Sequence, residues 1–332
     1  MKTPSWFLKR NFTALILTPL SVLYLLCFEL VFVCRDFLQK LSKTPANRTK
    51  IICVGGILAG GVGKTPIVRE IAGKLRANIV MRGYGSGIMT QSKKVRTCDT
   101  AADVGDEPKM LAARGFDVFV GKNRRKTVQI AQESGNNPVI MDDGFQNPTV
   151  RKDIAILVFD EHVGLGNGFM LPAGPLREPL RLGLARADAI VIVKSGTSKS
   201  NVASLIARRS PHLPIFFATN KMTNPGLSGK VIAFAGLGYP EKFFNGVRKM
   251  PQIRVIDTVP FPDHHRYTQT DLVELFRCAK NHGAKLVCTE KDWIKLPENI
   301  REQIKFIPLD ITIQPKFFKW MKKGELNENI RP

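Results

Sequence analysis

The residues with the clearest potential for chemistry form a glycine-rich loop that ends in a lysine and a threonine. The loop and the residue that follows it are Gly60, Gly61, Val62, Gly63, Lys64, Thr65 and Pro66. Glycine permits a positive φ and lets backbone N–H groups approach an anion closely. In a loop of this kind, Lys64 would reach the outer phosphates of a nucleotide and the Thr65 hydroxyl would bind Mg²⁺.

The flanks of the loop show whether it is a phosphate-binding loop or a glycine-rich turn with a chance Lys-Thr pair. Leu58 stands where the common loop has glycine, and GGVGKT matches a tighter variant. The apolar run 51–54 before the loop is typical of a buried parallel strand. After the loop, apolar residues recur at helical spacing, namely at Ile67, Val68, Ile71 and Leu75. Strand, loop and helix in this order indicate a nucleotide site.

Two pairs of adjacent carboxylates are candidates for metal binding or proton transfer. Asp142 and Asp143 end an apolar strand in the segment VIMDDGFQ. P-loop enzymes hold Mg²⁺ with a carboxylate at such a position. The second carboxylate could also bind the metal, position an acceptor or cap the turn. Asp106 and Glu107 precede a helix in VGDEP, where acidic residues often only complement the helix dipole.

Two loops contribute further candidates. The prolines of LPAGPLREP stiffen a loop that presents Arg177 and Glu178, a cation for phosphate and a carboxylate for a metal. The segment FPDHHRYT contains Asp263, His264 and His265. Paired histidines suggest zinc, but no third ligand motif accompanies them, so a solvated loop and an Asp–His acid–base pair are the alternatives.

Three weaker signals remain outside these segments. Arg82 in RGYG and Arg124 in GKNRRK are candidate phosphate ligands. The segment TEKDWIKL, residues 289–296, closes a predicted strand and could contact a nucleotide base or form a surface turn.

The ordered set of motifs resembles one protein family. GGILAGGVGKTP, RGYG, VGDEP, DDGFQ, LPAGPLRE, FPDHH and TEKD follow one another as in the tetraacyldisaccharide 4′-kinases of lipid A synthesis. The resemblance extends from the N-terminal apolar run to about residue 310. It implies transfer of the ATP γ-phosphate to the 4′-hydroxyl of a tetraacylated glucosamine disaccharide 1-phosphate, giving lipid IVA. It also implies that this reaction takes place at the cytoplasmic face of the bacterial inner membrane.

The resemblance also implies roles for individual residues. The implied nucleotide-binding residues are those of the loop from Gly60 to Pro66. The implied metal site, for Mg²⁺, consists of Thr65, Asp143 and Glu178. The implied catalytic residues, in which Asp106 acts on the acceptor hydroxyl in concert with His264, are Asp106, His264, Asp142 and Lys64.

Alternating strand and helix patterns must position these residues. From residue 49 to 212 they predict an α/β fold, a P-loop NTPase-type parallel sheet with helices on both faces. From Leu213 a second βα series begins, with FIPLDITI as its last strand. We therefore predict an N-terminal membrane-associated helix with basic flanks in 1–48, a P-loop kinase domain in 49–212, and a second, smaller α/β domain in 213–332 that closes the active-site cleft.

Composition narrows the class of partner. With 44% hydrophobic and 23% charged residues, the 332-residue chain is typical of a globular protein rather than a disordered one. The net charge of +22 predicts an anionic partner, which could be nucleic acid, acidic lipid or a phosphorylated substrate. No basic motif with interleaved aromatic residues supports nucleic acid. The six cysteines show no C-x-x-C spacing, as expected for reduced thiols of a cytosolic protein.

An apolar run near the N-terminus, residues 12–34, has about the length that spans a bilayer. Basic residues flank it on both sides, at Lys2, Lys9 and Arg10 and at Arg35, Lys40, Lys43, Arg48 and Lys50. A spanning helix would export the first group, against the positive-inside tendency. We therefore predict a helix that lies in or dips into the inner leaflet, with both basic flanks on an anionic membrane surface. A spanning helix and a buried core helix are the alternatives.

A second functional class also uses a loop that reads GGVGKT. Membrane-associated switch ATPases of the partitioning or cell-division type carry a signature lysine five residues before the loop lysine, and Ala59 occupies that position here. These ATPases also lack LPAGPLRE and PDHH. The kinase is therefore the favoured interpretation, with the switch ATPase as the alternative. The sequence does not predict an oligomeric state.

Overall fold

The fold is described from a computed structural model, which places residues 4–41, 49–60, 63–83, 91–194, 201–238, 240–263 and 265–326. Three of the predicted site residues, Gly61, Val62 and His264, lie outside the described residues. The strands in chain order are β1 (Ile51–Gly55), β2 (Asn78–Met81), β3 (Lys93–Lys94), β4 (Val118–Val120), β5 (Val139–Asp142), β6 (Ile154–Asp160), β7 (Ala189–Lys194), β8 (Ile215–Met222), β9 (Gly229–Ala235), β10 (Ile253–Pro260), β11 (Lys285–Thr289), β12 (Ile304–Ile307) and β13 (Leu309–Ile313).

The α-helices connect these strands and follow the N-terminal segment. They are α1 (Phe12–Ile16), α2 (Thr18–Leu41), α3 (Lys64–Leu75), α4 (Ala101–Val104), α5 (Asp106–Ala113), α6 (Arg124–Glu133), α7 (Leu180–Arg186), α8 (Val202–Arg209), α9 (Pro240–Arg248), α10 (Gln269–His282), α11 (Glu290–Trp293), α12 (Glu298–Arg301) and α13 (Pro315–Leu326).

The described strands form two sheets. The large sheet has nine strands in the order β13-β8-β7-β6-β1-β5-β2-β4-β3. Its central pairs, from β8 to β4, are all parallel, and the two edge strands β13 and β3 are antiparallel to their neighbours. The predicted α/β fold with a parallel sheet is therefore confirmed. In a parallel sheet the carboxyl ends of the strands meet at one edge, which brings the loop after β1 close to the end of β5.

The small sheet has four parallel strands in the order β10-β9-β11-β12 and carries a helix layer on each face. Alternate residues of its strands point to opposite sides. Val231, Ala233 and Val287 pack with α9 in one hydrophobic cluster. Ile232 and Phe234 pack with α10 in another. This burial on both faces explains the continuous apolar runs in the two central strands, VIAFA in β9 and LVC in β11.

The sheets do not follow the predicted boundary at residue 213. The predicted boundary places β8 in the second domain, but β8 pairs in parallel with β7 in the large sheet. The predicted single strand FIPLDITI is split at Pro308: β12 joins the small sheet, whereas β13 returns to the large sheet beside β8. Proline has no backbone N–H to donate to a ladder, so a strand ends readily there. The division of the chain into domains stays a prediction.

Four charged side chains join the two sheets. Arg69 of α3 donates to Asp310 of β13 (Nη2 to Oδ1, 2.7 Å). Arg114, just after α5, donates to Glu290 of α11 (Nη2 to Oε2, 2.7 Å) and to the same Asp310 oxygen (3.2 Å). The Arg69 and Glu290 side chains are only 9% and 12% exposed. The small sheet is therefore tied to the large one by a partly buried ionic network beside the VGDEP motif.

The N-terminal helices dock on the loop that precedes α7. The Ser21 hydroxyl donates to the carbonyl of Met170 (2.9 Å) and accepts from the backbone N–H of Ala173 (3.0 Å). The Tyr24 hydroxyl donates to the carbonyl of Arg177 (2.9 Å). Among the helices within the described ranges, none is long and apolar enough to cross a membrane.

Candidate active site

The glycine-rich loop joins β1 to α3. All five residues of β1 are buried, and α3 begins at Lys64 immediately after the loop. Gly60 and Gly63 have φ of 117° and 80°, a region that residues with a Cβ rarely occupy. Gly63 is the N-cap of α3 and offers no side-chain hydrogen bond to the first turn. The first N–H groups of α3 are therefore oriented toward the loop, as an anion site requires.

A hydroxyl and two carboxylates meet at the start of α3. The Thr65 hydroxyl lies 2.8 Å from Asp142 Oδ2 and 3.2 Å from Glu107 Oε2. Asp142 is the last residue of β5, and Glu107 lies in the first turn of α5. Burial and the nearby Glu107 carboxylate raise the pKa of Asp142 to about 7. A cluster of oxygen atoms with this excess of negative charge is suited to a divalent cation.

The second carboxylate of the DDG turn, Asp143, lies beside the loop lysine. Lys64 Nζ lies 3.4 Å from Asp143 Oδ1, and Arg177 Nη1 donates to Asp143 Oδ2 (3.1 Å). Burial acts to raise the pKa of Asp143, but the Lys64 and Arg177 cations outweigh it and hold that pKa below its ordinary value. Asp143 also has a φ of 51°, which is unusual for a residue other than glycine. The structure thus places two cations and one carboxylate beside the phosphate loop.

Glu178 is fully buried and has partners other than Thr65 and Asp143. Its carboxylate accepts from Gln146 Nε2 (2.8 Å) and forms an ion pair with Arg186 of α7. Burial raises the pKa of Glu178, and the Arg186 charge opposes this rise. Arg186 also lies over the Phe145 ring, 4.6 Å from its centroid. In this arrangement Glu178 fixes the loop that carries Arg177.

Two lysines from the segment that follows β11 lie beside the carboxylates of the VGDEP motif. Lys295 Nζ lies 3.7 Å from Asp106 Oδ2, and Lys291 Nζ lies 3.7 Å from Glu107 Oε1. Lys295 Nζ also lies 3.2 Å from Asp292 Oδ1. Both lysines come from the TEKDWIKL segment, for which the sequence left two interpretations open. The segment contacts the acidic motif of the large sheet.

The chain matches the model of one protein family over most of its length. Residues 13–325 match the family LpxK, described as tetraacyldisaccharide-1-P 4′-kinase. The chain belongs to this family. The prediction made from the ordered motifs is therefore confirmed, and the switch ATPase is not favoured.

Curated relatives of LpxK type cover nearly the same length. A tetraacyldisaccharide 4′-kinase of Phenylobacterium zucineum is 36% identical over 95% of this chain and 96% of its own. Another, of Nitrobacter winogradskyi, is 41% identical over 79% of each chain. A crystal structure of an "apo" form of LpxK from Aquifex aeolicus in complex with ATP superposes with a TM-score of 0.73. It is 25% identical and covers 94% of this chain and 98% of that one.

The structure brings most of the predicted LpxK residues to one edge of the large sheet. Lys64, Thr65, Asp142 and Asp143 lie together there, and His264 lies outside the described residues. The neighbouring His265 forms a hydrogen bond through its Nε2 with Asp271 Oδ2 (2.9 Å). Within the described ranges, no group of three or more histidine, cysteine or acidic residues has the arrangement of a metal site.

Sequence reasoning missed several polar residues that support the site. They are Gln146, Arg186, Lys291 and Lys295, together with the part played by Glu107 at Thr65. Gln146 is the last residue of the DDGFQ motif, and its amide could have been noticed there. Arg186 and Lys295 come from other elements, so no local spacing points to them. Arg124 is buried and donates to the carbonyl of Asp142 (2.9 Å), which supports the strand end rather than an exposed phosphate site.

Proposed function

We propose that this chain transfers the γ-phosphate of ATP to the 4′-hydroxyl of a tetraacylated glucosamine disaccharide 1-phosphate in lipid A synthesis. The observation that carries the proposal is the match of residues 13–325 to the LpxK family. The Aquifex relative is described as a complex with ATP, which supports ATP as the phosphate donor. The net charge of +22 suits an acceptor that already carries a phosphate.

The phosphate loop and its two cations would hold the transferred group. Backbone N–H groups at the start of α3 would bind the phosphate oxygens. Lys64 and Arg177 both contact Asp143 and would neutralise charge that develops on the γ-phosphoryl oxygens. We propose that Asp143 keeps both cations oriented until the triphosphate takes its place as their partner.

Mg²⁺ would fit the Thr65–Asp142–Glu107 cluster. Its three oxygen donors are hard ligands, and Mg²⁺ prefers few protein ligands with the rest of its shell supplied by water and phosphate. When bound, it would neutralise charge on the β- and γ-phosphates. The sequence instead predicted Thr65, Asp143 and Glu178, and that set stays a prediction. The contacts of Asp143 and Glu178 with cationic side chains favour Asp142 as the carboxylate nearest to the metal.

Metal titrations can distinguish the two sets of ligands. If Asp142 holds Mg²⁺, Asp142→Asn should raise the Mg²⁺ concentration needed for half-maximal rate by about tenfold or more, which is typical for loss of a charged ligand or its support. Glu178→Gln, which keeps the hydrogen bond from Gln146, should change it little. A large effect of Glu178→Gln with little effect of Asp142→Asn would instead support the metal ligands predicted from the sequence.

The acceptor would be activated by Asp106. We propose that its carboxylate, assisted by His264, accepts the proton of the 4′-hydroxyl as the hydroxyl oxygen bonds to the γ-phosphorus. The bond from the γ-phosphorus to the β,γ-bridging oxygen breaks in the same step, and ADP leaves. Asp106 sits at the first position of α5 beside Glu107, so acceptor and metal would be adjacent. Asp106→Ala should then lower kcat by about 100-fold or more while the affinity for ATP is retained. If the variant lost only ATP affinity, Asp106 would belong to the nucleotide side of the site.

The N-terminal helices would bring the enzyme to its lipid. The face of α1 and α2 that points away from the protein carries exposed apolar side chains, which are Phe12, Leu15, Ile16, Leu20, Val22, Leu23, Leu26, Leu30 and Val31. We propose that this face lies in the cytoplasmic leaflet of the inner membrane, with basic flanking residues on anionic headgroups. An acceptor with several acyl chains stays in the bilayer, so the kinase has to work at its surface.

Dependence of ATP consumption on the acceptor tests the proposed function. The purified chain is incubated with ATP and Mg²⁺, with and without micellar tetraacylated disaccharide 1-phosphate. We expect ADP formation only with the acceptor, and a loss of about 100-fold or more in Lys64→Ala, the cost of removing one preorganised stabilising group. Equal ATP consumption without the acceptor would favour the switch ATPase instead.

A further inference from the structure

The segment 289–295 connects the small sheet to the acceptor side of the candidate active site. It begins at the end of β11, forms the short helix α11, and places Lys295 just after the end of that helix. The Lys295 side chain is only 6% exposed and lies between two carboxylates, Asp292 (3.2 Å) and Asp106 (3.7 Å). A lysine this buried is uncommon unless its charge is compensated. Its position is therefore determined by these two acidic groups.

Asp292 anchors the lysine to the small sheet. Asp292 is fully buried, and its carboxylate accepts from the backbone N–H of Gly236 (3.1 Å) and from the Thr289 hydroxyl (2.6 Å). It thereby joins the end of β9 to the start of α11 and fixes the side from which Lys295 extends. Asp106, by contrast, belongs to α5, which contacts β4 of the large sheet. Lys295 is thus a charged link between a rigid point of the small sheet and the proposed base.

From this geometry we infer that Lys295 is a positioning residue that holds the Asp106 carboxylate in place for proton transfer from the acceptor hydroxyl. The inference rests on the proposed function, because it assigns Lys295 a role only through Asp106. An ammonium group at 3.7 Å attracts the carboxylate without a close directional hydrogen bond, so it can orient Asp106. A base displaced by about 1 Å can lose about 100-fold in rate.

A double-mutant cycle between Lys295 and Asp106 tests the inference. Lys295→Met removes the ammonium group and keeps an unbranched side chain. We expect it to lower kcat by about tenfold, within the range measured for coupled neighbours, and to leave KM for ATP within about twofold. In the Asp106→Asn background, the same change should lower kcat by less than about twofold, because the group it positions is already lost.

Two further variants separate positioning from a general structural role. Lys295→Arg keeps the charge and should retain kcat within about threefold of wild type. Lys285→Met, an exposed lysine at the start of β11, is the matched control and should behave as wild type. Thermal unfolding of every variant is measured in parallel, since loss of a buried cation also lowers stability. If Lys295→Met does not fold, the cycle is run with Lys295→Arg, whose smaller effect should likewise vanish beside Asp106→Asn.

The possible results have different consequences. If the reductions in kcat caused by the two single substitutions multiplied in the double variant, the positioning role would be overturned. A raised KM for ATP with unchanged kcat would overturn it as well. Neither result would contradict the proposed kinase function. Wild-type enzyme that transfers no phosphate to the acceptor would instead overturn the proposed function and, with it, this inference. A kcat that falls in Lys295→Met but not further beside Asp106→Asn supports the inference.

Discussion

Replacing three exposed leucines of α2 should release the protein from membranes without unfolding it. Leu23, Leu26 and Leu30 are 58%, 59% and 67% exposed and lie on the face opposite the docking residues Ser21 and Tyr24. Changing all three to glutamine removes apolar surface but keeps good helix-forming residues. The contacts that hold α2 on the loop before α7 are left intact.

The expected size of the effect follows from the exposed area. Full burial of a leucine side chain contributes about 2 kcal/mol, so transfer of the exposed part of each leucine into lipid contributes about 1.2 kcal/mol. Three such residues contribute about 3.5 kcal/mol, which corresponds to about 300-fold in the membrane partition coefficient. Catalysis on an acceptor dissolved in excess detergent should change far less, because the proposed catalytic residues lie outside α2.

Co-sedimentation with vesicles measures this directly. Wild type and variant are mixed with vesicles that contain anionic lipid, and the bound fraction is followed against lipid concentration. Val273→Gln, at a similarly exposed position on α10, is the control and should bind as wild type. High salt should weaken wild-type binding in part, because headgroup contacts are screened beyond about 8 Å at physiological ionic strength. If the triple variant bound as tightly as wild type, α2 would not be the membrane contact.

Three further predictions concern stability and reactivity. Glu290→Gln should lower the free energy of unfolding by about 3 kcal/mol in denaturant titrations, because it removes the negative charge that compensates the partly buried cations Arg69 and Arg114. Exposed Cys27 should react rapidly with a thiol reagent, whereas Cys53, whose pKa burial raises to about 11, should react only after unfolding. Hydrogen bonds at the N-cap of α10 hold the pKa of Asp271 below its ordinary value. The contribution of Asp271 to stability is therefore present above its unfolded-state pKa and is lost as the pH falls through its folded-state pKa. Asp271→Asn should reduce the dependence of stability on pH in this acidic range.

Local sequence patterns were sufficient for the elements around the phosphate loop. The apolar run before the loop forms β1, and the helical spacing after it forms α3, because strand burial and helix amphipathicity are encoded within a few residues. The order of motifs also identified the family, since several short segments in a fixed order are far more specific than any single one.

Contacts between residues that are far apart in the chain could not be predicted from local sequence patterns. The strand β13 resembles a continuation of β12 in sequence, yet it pairs with β8, almost ninety residues earlier. Likewise, nothing near Glu178 shows that Arg186 neutralises it, and nothing near Asp106 shows that Lys295 approaches it. These contacts depend on how whole elements pack, and hydrophobic periodicity specifies the face of a strand or helix but not its neighbour.

The identity of the hydroxyl that receives the phosphate is the most direct test of the proposed reaction. The purified chain is incubated with ATP labelled at the γ-phosphate and with tetraacylated glucosamine disaccharide 1-phosphate in micelles, and the lipid product is analysed by phosphorus NMR. We predict label on the 4′ position of a product with two phosphates, formed at least about 100-fold more slowly by Lys64→Ala. Label found only in inorganic phosphate, or on a different hydroxyl, would contradict the assignment.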